Sequence, residues 1–177
     1  MEDLTRRDLI KLGAAATITA SLGVSDSQAQ RASPAPAFFT REELALVDEL
    51  SEIIIPTDPH SPGAKAAKVA AYIDARLAEA WEDKEKTAWR EGLKLVDQLA
   101  RSANGKPFLE SSPAERLAVV TRMAQNEGKP QRPEEVFFAE LKARVVHGYY
   151  TSEIGIKQEM EYKGNSYLGE FVGFDVS

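Results

Sequence analysis

The sequence predicts an all-α domain: an irregular bundle of about five helices, followed by an extended, aromatic- and Gly-rich C-terminal arm. Three observations carry this prediction. Apolar residues recur at three- and four-residue spacing through most of the chain from Phe38 to Tyr150, the period of a helix face. Two Ser/Thr-x-x-Glu signatures, Thr40 to Glu43 and Ser112 to Glu115, mark helix starts. No stretch shows the clean apolar/polar alternation of a half-buried strand.

The first helix opens on the Thr40 box. Its hydroxyl can accept from the Glu43 N–H while the Glu43 carboxylate reaches back to the Thr40 N–H, with Phe39 and Leu44 placed as a hydrophobic staple. Leu44, Val47, Leu50 and Ile54 form its apolar face, and Pro56 stops it at Ile55. A turn-rich loop, Thr57 to Gly63, follows. The second helix is expected over about Ala64–Trp81, with Val69, Tyr72, Ile73, Leu77 and Ala80 on one face. The third runs over about Lys84–Ala103 and buries Trp89, Leu93, Val96, Leu99 and Ala100. Asn104-Gly105-Lys106-Pro107 then ends it. The fourth starts at the Ser112 box, with Pro113 at the first helical position, and turns Leu117, Val120, Met123 and Ala124 inward. Gly128, Pro130 and Pro133 close it. The fifth begins near Glu134, carries Phe137, Phe138, Leu141 and Val145, and is expected to fray near Gly148.

Ahead of the helices, Thr5-Arg6-Arg7-Asp8-Leu9-Ile10-Lys11 precedes a modest apolar run from Leu12 to Val24, and Ser27-Gln28-Ala29 ends on a small residue. Basic, apolar and small-residue segments in that order make a secretory leader. The arginine pair marks the twin-arginine subtype. The organisation predicted is therefore a twin-arginine signal peptide over 1–29, cleaved after Ala29, a linker over 30–37, a helical domain over 38–150 and a C-terminal arm over 151–177. Arg6 and Arg7 are the candidate residues for the twin-arginine translocase, and the periplasm is the expected destination.

Composition narrows the function. The chain of 177 residues has no cysteine, which excludes thiol chemistry, iron–sulfur ligation and covalent c-type haem. Its formal charge of −6 disfavours nucleic acid and anionic lipid as partners, since both need a basic face. The only histidines, His60 and His147, stand apart and form no HExxH or other metal-ligand spacing. No GxGxxG or Walker loop and no GxSxG elbow is present. Most carboxylates lie three or four residues from Lys or Arg, the pattern of a solvated helix face. No catalytic, cofactor-binding or metal-binding residue is therefore assigned. The strongest local signal is the arm: Tyr149, Tyr150, Tyr162, Tyr167, Phe171 and Phe174, interspersed with glycine, are the candidate partner-binding residues. Aromatic anchors of this kind dominate protein interfaces, although an arm wrapping its own domain would use the same residues.

Several segments in order resemble the gluconate 2-dehydrogenase subunit 3 family. They are the arginine-pair leader, Phe38-Phe39-Thr40-Arg41-Glu42-Glu43, Ile53-Ile54-Ile55-Pro56-Thr57-Asp58 followed by Pro62-Gly63-Ala64, Trp89-Arg90-Glu91-Gly92-Leu93, Gly105-Lys106-Pro107-Phe108 and Gly148-Tyr149-Tyr150-Thr151-Ser152. Where the family often has proline after Thr-Ser, Glu153 follows here. The resemblance implies a non-catalytic small subunit of a periplasmic or membrane-associated sugar or polyol dehydrogenase. The large partner, a flavoprotein of the glucose–methanol–choline type, would hold FAD and oxidise the substrate, and a cytochrome c subunit often takes the electrons. The small subunit would bind, stabilise and co-export the large one. On the residues alone, a stand-alone periplasmic binding protein or a carbohydrate-active enzyme remains an alternative.

Overall fold

The structure, a computed structural model of the chain, describes residues 35–164. Among the described residues six α-helices follow one another: α1 (Arg41–Ile54), α2 (Gly63–Ala66), α3 (Val69–Glu79), α4 (Asp83–Asn104), α5 (Pro113–Met123) and α6 (Pro133–Tyr150). A short 3-10 turn, Phe108–Glu110, precedes α5, and a π-helical turn, Gly155–Glu159, follows α6. No strand occurs among the described residues, and the all-α expectation holds.

Both capping boxes form as the sequence predicts. The Glu43 carboxylate accepts from the Thr40 N–H at 2.8 Å, and the Thr40 hydroxyl accepts from the Glu43 N–H at 3.1 Å. Ser112 and Glu115 repeat the arrangement at the start of α5. Gly105 ends α4 in the left-handed region at φ 74°, where a residue without a Cβ meets no steric penalty.

The core is one cluster to which every α-helix contributes: Val47 and Leu50 from α1, Ala64 from α2, Ile73 and Leu77 from α3, Trp89 and Val96 from α4, Met123 from α5, and Leu141, Val145 and Tyr149 from α6. α4 and α6 approach closely because Gly92 has no side chain. A Cβ there would lie 2.1 Å from the Phe137 ring, so the ring occupies the space beside the Gly92 backbone. Trp89 meets the same phenylalanine edge-on, with centroids 5.5 Å apart. Phe108 of the 3-10 turn is fully buried. Arg116 of α5 fastens that turn by donating to the Phe108 and Leu109 carbonyls, and its remaining amino group reaches Glu49 of α1 at 2.7 Å.

Four expectations are corrected. The helix predicted over 64–81 is two helices that break at Lys68, whose φ of 56° is left-handed. The break follows from the attachment of α2 to α1: the Ala64 N–H bonds the Ile55 carbonyl, and the Lys65 N–H bonds Glu52 at 2.9 Å. α3 also stops at Glu79, which leaves Trp81 outside any helix. Leu117 is exposed, because α5 turns Val119, Val120 and Met123 inward instead. Finally, α6 does not fray at Gly148. It runs through Tyr150, and the start of the arm continues as packed turns with Gly155 buried against the Tyr149 carbonyl.

Candidate partner-binding surface

The chain enters the helical body through Ala37, Phe38 and Phe39. One carboxylate receives all three of their backbone N–H groups: Asp74 Oδ2 lies 2.6 Å from Ala37 N, and Asp74 Oδ1 lies 3.0 Å from Phe38 N and 2.8 Å from Phe39 N. Asp74 is buried on α3, and three charge-assisted bonds compensate for its desolvation. Arg90 completes the clamp, with its guanidinium 4.7 Å from the centre of the Phe38 ring and donating to the Phe38 carbonyl at 3.0 Å. The segment leading back to residue 35 is thus fixed at a defined place on the fold. The sequence reading missed Asp74, although a signal was present: a lone carboxylate inside the apolar stripe of Ala70, Ile73 and Leu77.

The predicted partner anchors separate into three groups. Tyr149 is fully buried. Its hydroxyl pairs with that of Ser61 at 2.6 Å, and its ring stacks edge-on with Tyr150. It is a core residue and not a surface anchor, because α6 keeps its register to the last turn and turns position 149 inward with Leu141 and Val145. Tyr150 and Tyr162 are exposed, at 39% and 53%. Tyr167, Phe171 and Phe174 lie outside the described residues, as do Arg6, Arg7 and Ala29.

Both histidines lie on the surface. Beside His60, the Asp58 carboxylate accepts the His60 and Ser61 N–H groups at 2.7 Å each, which holds its pKa below the ordinary value. That carboxylate is engaged in shaping the loop. The His147 ring stands 6.0 Å from Tyr72. Among the described residues, no group of three or more His, Asp or Glu side chains is placed to hold a metal ion. A strongly held carboxylate, Glu135, is buried at the start of α6. The Gln131 and Arg132 N–H groups, the Arg132 guanidinium and the Asn126 amide all donate to it, and its pKa is held down to about 2. It closes the connection between α5 and α6.

An open groove of about 780 Å³ lies between α4 and α6. Trp89, Phe137 and Val136 line it, the last 54% exposed, and Glu82 of its wall directly follows Trp81, which is 98% exposed. Isolated exposed apolar residues are ordinary, but a bared tryptophan beside an apolar groove is the composition of a contact surface. Periodicity could not reveal Trp81, since it speaks only for residues inside helices.

Fold and surface together define a class: an all-α domain whose distinctive features are a fastened segment ahead of α1, aromatic side chains bared to solvent and an open groove. The chain belongs to the gluconate 2-dehydrogenase subunit 3 family, whose sequence profile matches residues 41–169. The family is of the accessory-subunit type, and membership implies a dehydrogenase partner. No curated protein and no solved structure matches the chain. No helix among the described residues is long and apolar enough to cross a membrane.

Proposed function

We propose that this chain is a non-catalytic small subunit that binds, stabilises and co-exports an FAD-dependent sugar or polyol dehydrogenase of the glucose–methanol–choline type. The family match over residues 41–169 carries the proposal. Two further observations support it. The leader contains Arg6 and Arg7 ahead of an apolar run. The Asp74 clamp fastens residues 37–39 to the helical body. In this reading FAD resides in the large partner, a cytochrome c subunit takes the electrons in some assemblies, and the complex works in the periplasm or at its membrane face through its partners.

The test is affinity capture of the tagged mature chain from its native periplasm, with a visible absorbance spectrum of the eluate. A large co-eluting protein with flavin absorbance, active as a sugar or polyol dehydrogenase, is the expected outcome. A colourless single species would reject the subunit reading.

A further inference from the structure

We propose that the groove between α4 and α6, together with the exposed Trp81 that directly precedes Glu82 of its wall, is the seat of an apolar segment of the dehydrogenase subunit that carries a lysine or arginine beside it. This inference rests on the subunit reading above and names the surface that reading leaves open.

The groove is built to receive apolar surface. Trp89 and Phe137 are buried within the domain but line its floor, and Val136 presents about half of its side chain. Ala88, Leu95 and Pro133 extend the apolar part of the lining. Trp81, on the residue preceding Glu82 of the groove wall, has no packing of its own. A tryptophan in that state is the side chain most often found to dominate the energy of a protein contact.

The charge around the groove selects the partner. Its wall carries four carboxylates, Glu82, Glu85, Glu91 and Glu140, against two cations, Lys84 and Arg144. Arg144 is already taken: it pairs with Glu140 at 2.9 Å and with Glu85. Among the described residues Glu82 and Glu91 make no ion pair, and of the groove-lining residues Lys84 is the remaining cation. An apolar segment flanked by a cation satisfies both the floor and the rim. The chain's own last residues fit poorly, because residues 165–177 carry Glu170 and Asp175 and no lysine or arginine. A second copy also fits poorly, since it would set one acidic rim against a chain of net charge −6.

The experiment uses the flavin-bearing dehydrogenase recovered with the tagged chain, purified and rebound to full mature-chain variants whose fold is checked by thermal melting. Trp81→Ala is expected to weaken the complex roughly tenfold or more. Glu91→Lys is expected to lower the association rate and flatten its salt dependence. Leu117→Ala, which removes an exposed apolar residue of α5 that does not line the groove, is expected to stay within about twofold. A photo-crosslinker in place of Trp81 should label a dehydrogenase peptide that is apolar and adjacent to Lys or Arg. Wild-type affinity for both Trp81→Ala and Glu91→Lys would overturn the groove assignment and leave the subunit reading intact. Failure of the unaltered chain to retain any flavoprotein would overturn both. Quenching of tryptophan fluorescence by simple sugars, with dehydrogenase binding unchanged in the variants, would reassign the groove to carbohydrate.

Discussion

The Tyr149 and Ser61 hydroxyls meet at 2.6 Å across 88 residues of chain. The contact joins the last turn of α6 to the loop after α1, and Ser61 in turn accepts from the Gly63 N–H that starts α2. Both residues are buried, so neither hydroxyl has water to replace the other. Tyr149→Phe keeps the ring and deletes the bond. The expected cost is about 1–2 kcal/mol, or a fall in Tm of roughly 3–6 °C, read by thermal melting. An unchanged Tm would show that the buried pair is energetically neutral.

Asp74→Ala removes the acceptor of three backbone N–H groups at once. The loss expected is about 2–3 kcal/mol, the range for hydrogen bonds to a charged group. Its local signature is more telling than its size. Amide exchange at Phe38 and Phe39 should accelerate by an order of magnitude or more beyond any change in the α6 core. Equal acceleration everywhere would mean that Asp74 supports the whole fold without a specific hold on residues 37–39.

Glu135 makes stability depend on acid. Its pKa in the folded chain, about 2, lies below the ordinary 4.5 because the Gln131 and Arg132 N–H groups favour the charged form. A depressed carboxylate stabilises the fold fully above its ordinary pKa and loses that contribution as pH falls toward the folded value. Glu115 is held at about 2 as well, through Lys106 and Ser112, and contributes in the same window. The difference between the unaltered chain and Glu135→Gln isolates the first group. It should be full at pH 7, shrink between about pH 4.5 and 2, and vanish below. A difference constant across that range would contradict the assignment.

Replacing Arg6 and Arg7 together by lysine keeps the leader's charge and removes the arginine pair. If the chain escorts its partner, both proteins should accumulate in the cytoplasm and periplasmic dehydrogenase activity should fall by at least about tenfold. Fractionation followed by an activity assay reads this directly. Normal export of the dehydrogenase alongside a stranded small subunit would end the escort reading while leaving the subunit assignment in place.

The sequence by itself determined the elements whose causes are local. Thr40 with Glu43 and Ser112 with Glu115 start two helices with bonds that span three residues, and Gly105 ends another, because capping depends only on neighbours in the chain. The stripe of Trp89, Leu93, Val96 and Ala100 identified the buried face of α4 for the same reason. The family was also legible, from the order of short segments spread along the chain. Only the tertiary structure decided the rest. It turned Tyr149 from a candidate anchor into a core residue paired with Ser61, and it broke the second helix at Lys68. It brought Asp74 to the backbone of residues 37–39 and bared Trp81 beside the α4–α6 groove. Each of these depends on which distant surface a residue meets. A side chain's chemistry states what it can bond or bury, and the packing of the helices selects the partner it receives.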